Sequence, residues 1–187
     1  MDDSPILINT TNDAFFLDIY RPKNHPLRAG HEHSQLIDIL REKRAEEVIK
    51  RFADVLKPYL TTGICVSAVP PAVAVTHKTG IQLVAKLLAS GKRIDATDCL
   101  VRMKRVPTAA ETAHRTEQTH LDSITVRRPE LIRDFRFLLL DDIYHTGTSL
   151  NACRKLLLDA GARQVRILVL GRTWRDEELP DRGWLKV

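Results

Sequence analysis

Residues 137–150, Phe137-Leu138-Leu139-Leu140-Asp141-Asp142-Ile143-Tyr144-His145-Thr146-Gly147-Thr148-Ser149-Leu150, constrain the fold more than any other stretch. Four apolar residues in succession, Phe137 to Leu140, fit a strand covered on both faces, as in a parallel sheet between helices. The run stops at two carboxylates, and a loop of hydroxyl residues around Gly147 leads into a helix predicted over Asn151 to Ala160, stopped by Gly161. A helix entered through Thr146-Gly147-Thr148-Ser149 turns backbone N–H groups, hydroxyls and the positive end of its dipole toward one anion, most often a phosphate. Open α/β sheets hold their ligands at the carboxyl ends of strands, where Asp141 and Asp142 fall. Two adjacent acids and a full hydroxyl-rich loop exceed what a turn requires. No lysine follows the glycine, so this is not a Walker A loop.

Other segments supply the rest of an α/β domain. Gln164–Leu170 reads as a second apolar strand, so strand, helix and strand make a right-handed parallel crossover. Ile64–Val69 reads as a third, stopped by Pro70-Pro71. A loop through Thr76-His77-Lys78-Thr79-Gly80 then leads to a helix predicted over Ile81–Ala89 and closed by Gly91. The Thr79 hydroxyl and Gly80 suit close approach of the backbone to an anion. Leu36, Ile37, Leu40, Val48, Phe52, Val55 and Leu56 recur at helical spacing and predict one helix from about Ser34 to Tyr59, with a scaffold role. Ala14–Tyr20 reads as a strand within an irregular or hairpin-like opening over residues 1–33, and Thr97–Arg102 as a weaker strand.

Residues 103–120 show no apolar period and carry Lys104, Arg105, His114, Arg115 and His120 just after Arg102. A long polar segment of this kind is a functional lid or a disordered loop. His31 and His33 lack a third ligand at a recognisable metal spacing and are expected to be solvated loop histidines. His145 is expected to be an exposed loop residue. In the charged tail, residues 172–187, Trp174 and Trp184 are expected to pack rather than stack on a ligand ring.

With 187 residues the chain suits one domain, 1–187. The net charge of +5 fits nucleic acid, membrane phosphates or an acidic small molecule, while 5% aromatic residues offer few stacking platforms for single strands. Nucleic acid thus rests on charge alone. Cys65, Cys99 and Cys153 form no Cys-x-x-Cys pair and read as reduced core thiols, not a disulfide frame or zinc ribbon. No apolar run approaches the roughly 20 residues of a membrane span, and the acidic start lacks a signal-peptide core. The expectation is a soluble, cytoplasmic protein without membrane partners.

The apolar strand, the acid pair and the Thr146-Gly147-Thr148-Ser149 loop together resemble the phosphoribosyl-pyrophosphate (PRPP) motif of type I phosphoribosyltransferases. The resemblance implies a Rossmann-like α/β fold with a mainly parallel central sheet flanked by helices. It implies that Asp141 and Asp142 hold the ribose hydroxyls and that Thr146, Gly147, Thr148 and Ser149 cradle the 5′-phosphate. The Lys78-Thr79-Gly80 loop corresponds to the pyrophosphate loop, with Lys78 meeting the leaving group. Residues 103–120 correspond to the family's mobile catalytic loop, and Arg102, Lys104 and Arg105 would join Lys78 when it closes. The spacing Arg105-x-x-Thr108-x-x-Glu111 followed by Arg115-x-x-Gln118 is similar to the ComF-like branch, associated with competence, although Glu111 and Gln118 depart from it. The zinc-binding cysteines that often precede a ComF-type domain are absent. Dimers are common among similar proteins.

The implied activity is Mg²⁺-dependent transfer of ribose 5-phosphate from PRPP to a nitrogenous base or related acceptor of unstated identity. Displacing pyrophosphate passes through an oxocarbenium-like state, so catalysis would be chiefly positioning and electrostatic stabilisation. Mg²⁺ bridges phosphate and ribose oxygens with few protein ligands, so no dedicated metal motif is expected. The alternative implied by the ComF likeness is a non-catalytic PRPP or nucleotide sensor, or a protein associated with DNA uptake.

Overall fold

The computed structural model describes residues 8–10, 14–73, 77–106 and 116–173. The first half runs β1 (Ile8–Thr10), β2 (Ala14–Tyr20), α1 (Glu32–Glu42), α2 (Glu46–Leu56), β3 (Ile64–Ala68) and α3 (Gly80–Leu88). The second runs β4 (Ile94–Asp95), β5 (Leu100–Arg102), α4 (Glu117–Leu121), β6 (Ile124–Val126), β7 (Arg136–Tyr144), α5 (Thr148–Asp159) and β8 (Gln164–Thr173). Six strands form the central sheet in the order β1-β2-β8-β7-β3-β4. All neighbours pair in parallel except β1, which runs antiparallel to β2 at one edge. The sheet is thus mainly parallel and flanked by helices. β7 lies between β8 and β3, with Leu139 opposite Ile167 on one side and Ser67 on the other.

Side chains of a strand alternate between its faces, and this splits the core in two. Leu138 and Leu140 join Leu168, Leu170, Val66 and Ala68 beneath α1, α2 and α3. Phe137 and Leu139 join Val165, Ile167 and Val169 beneath Leu150, Cys153 and Leu157 of α5. The second face also takes Leu100 and Ile124 from a separate antiparallel pair, β5 and β6. Leu138, Leu139 and Leu140 are fully buried, as the unbroken apolar run predicts for a strand covered on both sides.

Several boundaries depart from the sequence reading. The helix expected over Ser34–Tyr59 is two helices, broken at Lys43-Arg44-Ala45, where Arg44 adopts φ +52°. No glycine or proline marks that break. Both helices lay their apolar stripe on the same core, so the periodicity runs through the corner unaltered. β7 does not stop at the acids but continues through Asp141 and Asp142 to Tyr144, because β8 extends beside it as far as Thr173. The Thr97–Arg102 strand shortens to β5 and leaves the central sheet to pair with β6. The opening segment contributes β2 to the main sheet, where Phe16 lies opposite Val169.

His31 and His33 are not solvated loop residues. His31 caps α1 by accepting from the Ser34 N–H, and His33 Nε2 donates to the Leu170 carbonyl at 2.7 Å with its ring edge-on to Phe52. Cys65, Cys99 and Cys153 are buried free thiols. Among the described residues no helix is long and apolar enough to cross a membrane. Trp174, Trp184 and most of the tail lie outside the described residues, as do residues 107–115 of the expected loop.

Candidate active site

The Thr146–Ser149 turn forms where the sequence places it. Gly147 is the N-cap of α5 at φ +77°, in the left-handed region that disfavours a side chain, and a Cβ there would lie 2.6 Å from Tyr144 Oη. The first helical bond of α5 runs from the Asn151 N–H to the Gly147 carbonyl at 2.8 Å. The N–H groups of Thr148, Ser149 and Leu150 therefore precede the ladder and face outward with the positive end of the helix dipole. Thr146 and Thr148 bring their hydroxyls within 3.2 Å of each other. These residues line one side of a cavity of about 510 Å³ that also takes in Tyr20, His145 and Thr173. His145 is exposed, as expected, with Nδ1 3.4 Å from Thr173 Oγ1.

A second cavity of about 510 Å³ adjoins the first. Pro70, Pro71 and Ala72, Thr79 and Gly80 at the head of α3, Arg102 and Asp141 line it. Arg41, His120, Asp142 and Ser149 line both cavities and form the ridge between them. Asp142 thus stands on that ridge and Asp141 on its second-cavity side, with hydroxyls and N–H groups of α5 on one side and the β3–α3 loop on the other.

Extension of β7 through the acids brings both under the influence of one cation, Arg41. Arg41 of α1 reaches Asp142, with Nε 3.1 Å from Oδ2. Asp141 accepts from the Asp142 N–H at 2.9 Å and is influenced by Arg41 and, less, by Arg102. Burial pushes the Asp141 carboxyl well above the usual carboxylate range, and the negative charge of Asp142 adds to the effect. Asp142 is also raised by burial, with Arg41 opposing. The free site therefore stores electrostatic cost, as sites built for charged ligands commonly do.

The basic residues divide unevenly. Arg102 lines the second cavity but is itself buried, 4% exposed, and acts as a strut. It donates to the Pro71 carbonyl at 3.0 Å and the Ser123 hydroxyl at 2.5 Å, tying β5 and β6 to the turn after β3. Lys78 lines neither large cavity; its ammonium donates to Thr97 Oγ1 and Asp98 Oδ1, both at 2.8 Å, beside a third cavity of about 340 Å³. Lys104 and Arg105 are exposed at the border of the segment outside the described residues. Thr108, Glu111 and Arg115 lie within that segment, and Gln118 donates to Asp122 on α4. Thr79 caps α3 through a capping box with Gln82.

Two site residues escaped the sequence reading. Arg41 belongs to a helix read as scaffold, and no local signal distinguishes it from the basic residues around it; only the docking of α1 brings it to Asp142. Tyr20 closes β2 and lines the first cavity. Its hydroxyl donates to Asp38 at 2.7 Å, while Arg28 pairs with the other Asp38 oxygen at 2.5 Å. Burial, then the Asp38 hydrogen bond, raises the Tyr20 hydroxyl to about 12.

A parallel sheet with an anion-binding helix head and an acid pair at its carboxyl edge defines a sugar-phosphate or nucleotide-handling α/β protein. The sequence comparison narrows this class, since residues 67–187 match the family model described as phosphoribosyl transferase domain. The chain belongs to that family and is a PRPP-binding phosphoribosyltransferase. No curated protein matches it. Among solved structures it is similar to adenine phosphoribosyltransferase of Leishmania tarentolae, at 14% identity over 89% of this chain and 94% of that one, TM-score 0.49. It is also similar to orotate phosphoribosyltransferase of Mycobacterium tuberculosis, at 16% identity over 76% and 94% of the two chains, TM-score 0.39. Hypoxanthine phosphoribosyltransferase of Staphylococcus aureus matches at 13% identity over 78% and 77%, TM-score 0.35. The family assignment rests on the sequence match, not on these structures.

Proposed function

We propose that PRPP lies across the ridge, with its 5′-phosphate at the head of α5, its ribose on Asp141 and Asp142, and its pyrophosphate in the second cavity. The observation that supports this most is the shared wall: Asp142 lines two cavities and Asp141 the second, with the helix head of α5 on one side and that of α3 on the other. Thr146, Gly147, Thr148 and Ser149 hold the phosphate through hydroxyls and N–H groups. Asp141 and Asp142 accept from the ribose hydroxyls. As a nitrogen nucleophile of the acceptor forms its bond to C1, the C1–O bond breaks and its electron pair leaves with pyrophosphate. Positive charge then grows on the ring beside the two carboxylates, which stabilise it without moving.

The donor set of Asp141 and Asp142 fits Mg²⁺, a hard cation that takes one or two carboxylates plus substrate oxygens. When bound there, Mg²⁺ would neutralise charge on the leaving group. Thr79 and Gly80 contribute hydroxyl and backbone to the pyrophosphate side, and Lys104 and Arg105 would join them from the loop that follows β5. Lys78 would serve that side only after leaving Thr97 and Asp98. The acceptor is a nitrogenous base. The Arg105, Thr108 and Arg115 spacing supports a place in the ComF-like branch, and family analogy supports a homodimer working in the cytoplasm.

Calorimetric titration with PRPP and Mg²⁺, followed by pyrophosphate release over a panel of purine and pyrimidine bases, tests this reading. The expected result is PRPP binding, with release dependent on one base class. Absence of binding to PRPP and to nucleoside 5′-monophosphates alike would overturn the placement. Binding without release over the whole panel would favour a sensor in place of a base-modifying enzyme.

A further inference from the structure

The leaving group needs a cation in the second cavity, and Lys78 is directed elsewhere. The geometry points to Arg41. Its side chain lines both cavities and is 48% exposed, so it stands at their surface and is not sealed into the core. Its place is fixed by close contact between α1 and α3. At Gly80 an added Cβ would overlap the Leu40 carbonyl oxygen and side chain, so the residue after Leu40 stands beside the first turn of α3. Gly80 and Ile81 of that turn line the same cavity. One turn earlier on α1, Asp38 is held by Tyr20 and Arg28, which anchors the helix against β2.

We propose that Arg41 is the pyrophosphate-binding cation of this enzyme, resting on Asp142 while the site is free and turning to the donor's leaving group when the ribose hydroxyls take its place on the carboxylate. This rests on the PRPP placement proposed above. The exchange gives each charged group a new partner, so none is left buried and alone. The Arg41–Asp142 pair is partly solvated and is therefore weak enough to yield. A guanidinium matches phosphate oxygens with two parallel donors, which the Lys78 ammonium cannot offer. As the C1–O bond breaks, the negative charge that accumulates on pyrophosphate meets a cation already in place.

The test compares Arg41→Gln and Arg41→Lys with wild type in calorimetric titrations against PRPP and against ribose 5-phosphate, which lacks the pyrophosphate. Arg41→Gln is expected to weaken PRPP by about ten- to a hundredfold, the range for a lost charge-assisted hydrogen bond, and to leave ribose 5-phosphate affinity unchanged or raised. Arg41→Lys, which keeps the charge but loses the fork, is expected to fall between the two. The proposal is overturned if either variant weakens both ligands in the same proportion, which would mean a positioning role for α1, or leaves PRPP affinity intact. Should Arg41→Gln fail to fold, the ratio of the two affinities in Arg41→Lys decides alone. A wild-type protein that binds ribose 5-phosphate but not PRPP would refute the PRPP placement itself, a result distinct from all of these.

Discussion

Replacing Asp141 by Asn should move stability and ligand binding in opposite directions. The carboxyl is raised well above the usual carboxylate range by burial and by Asp142, with Arg41 and Arg102 only partly offsetting. In the folded protein it therefore holds its proton to higher pH than in the unfolded chain. From the ordinary value of 3.8 upward the unfolded state binds fewer protons, so this group's contribution falls as pH rises until the folded carboxyl has also ionised. Asn cannot ionise and escapes the penalty; it also relieves Asp142 of a like charge. Below pH about 4 the two proteins should be equally stable with respect to this group. At pH 8 the variant should be more stable by about 0.5–2 kcal/mol, typical of relieving a strained functional site. For a chain of this size each kcal/mol raises the melting midpoint by about 2–4 °C. On the proposed placement the same change removes a charged acceptor from the ribose and should weaken PRPP by about 1.5–3 kcal/mol. Urea denaturation at pH 4 and pH 8, alongside calorimetry with PRPP, reads both effects. A variant less stable than wild type at pH 8, or a stability gap that does not widen with pH, would refute the electrostatic argument.

Two further changes test other parts of the site. Gly147→Ala forces a side chain into the left-handed region and against the Tyr144 ring, and should cost about 1–3 kcal/mol. On the proposed placement both ribose 5-phosphate and inorganic phosphate use the α5 head, so it should weaken them alike; retention of phosphate affinity in calorimetry would contradict that placement. Tyr20→Phe removes the hydrogen bond to Asp38 and should cost about 0.5–1.5 kcal/mol in urea denaturation. Because the Tyr20 hydroxyl is raised from 10.0 to about 12, its contribution is intact below pH 10 and is lost as pH climbs through 12, a decline that the Phe variant should lack.

The parts of the site that were legible in the sequence are those whose signal is local. The apolar run, the acid pair and the Thr146–Ser149 loop are contiguous, and each dictates its own backbone: a strand buried on both faces, a turn needing Gly147, a helix head. Three other features depend on contacts distant in sequence. The extension of β7 past Asp142 follows from pairing with β8, not from the residues of β7. The break at Arg44 is hidden because both helices share one apolar face. Arg41 and Asp142 lie on different elements that meet only when Gly80 lets α1 settle on α3. Lys78 shows the converse. Its place in the loop suits the leaving group, while Thr97 and Asp98, outside the strand expected there, hold its ammonium beside a neighbouring cavity.

The ridge between the two cavities bears on how the products part. On the proposed placement, PRPP is one molecule with two anionic ends, each gripped on its own side of Asp142, and each grip raises the effective concentration of the other end at its site. Bond cleavage at C1 cuts that tether. The pyrophosphate and the new nucleotide are then two separate ligands, each held by only part of the contacts and free to leave without the other. On that placement, chemistry over the ridge loosens the enzyme's hold on what it has made.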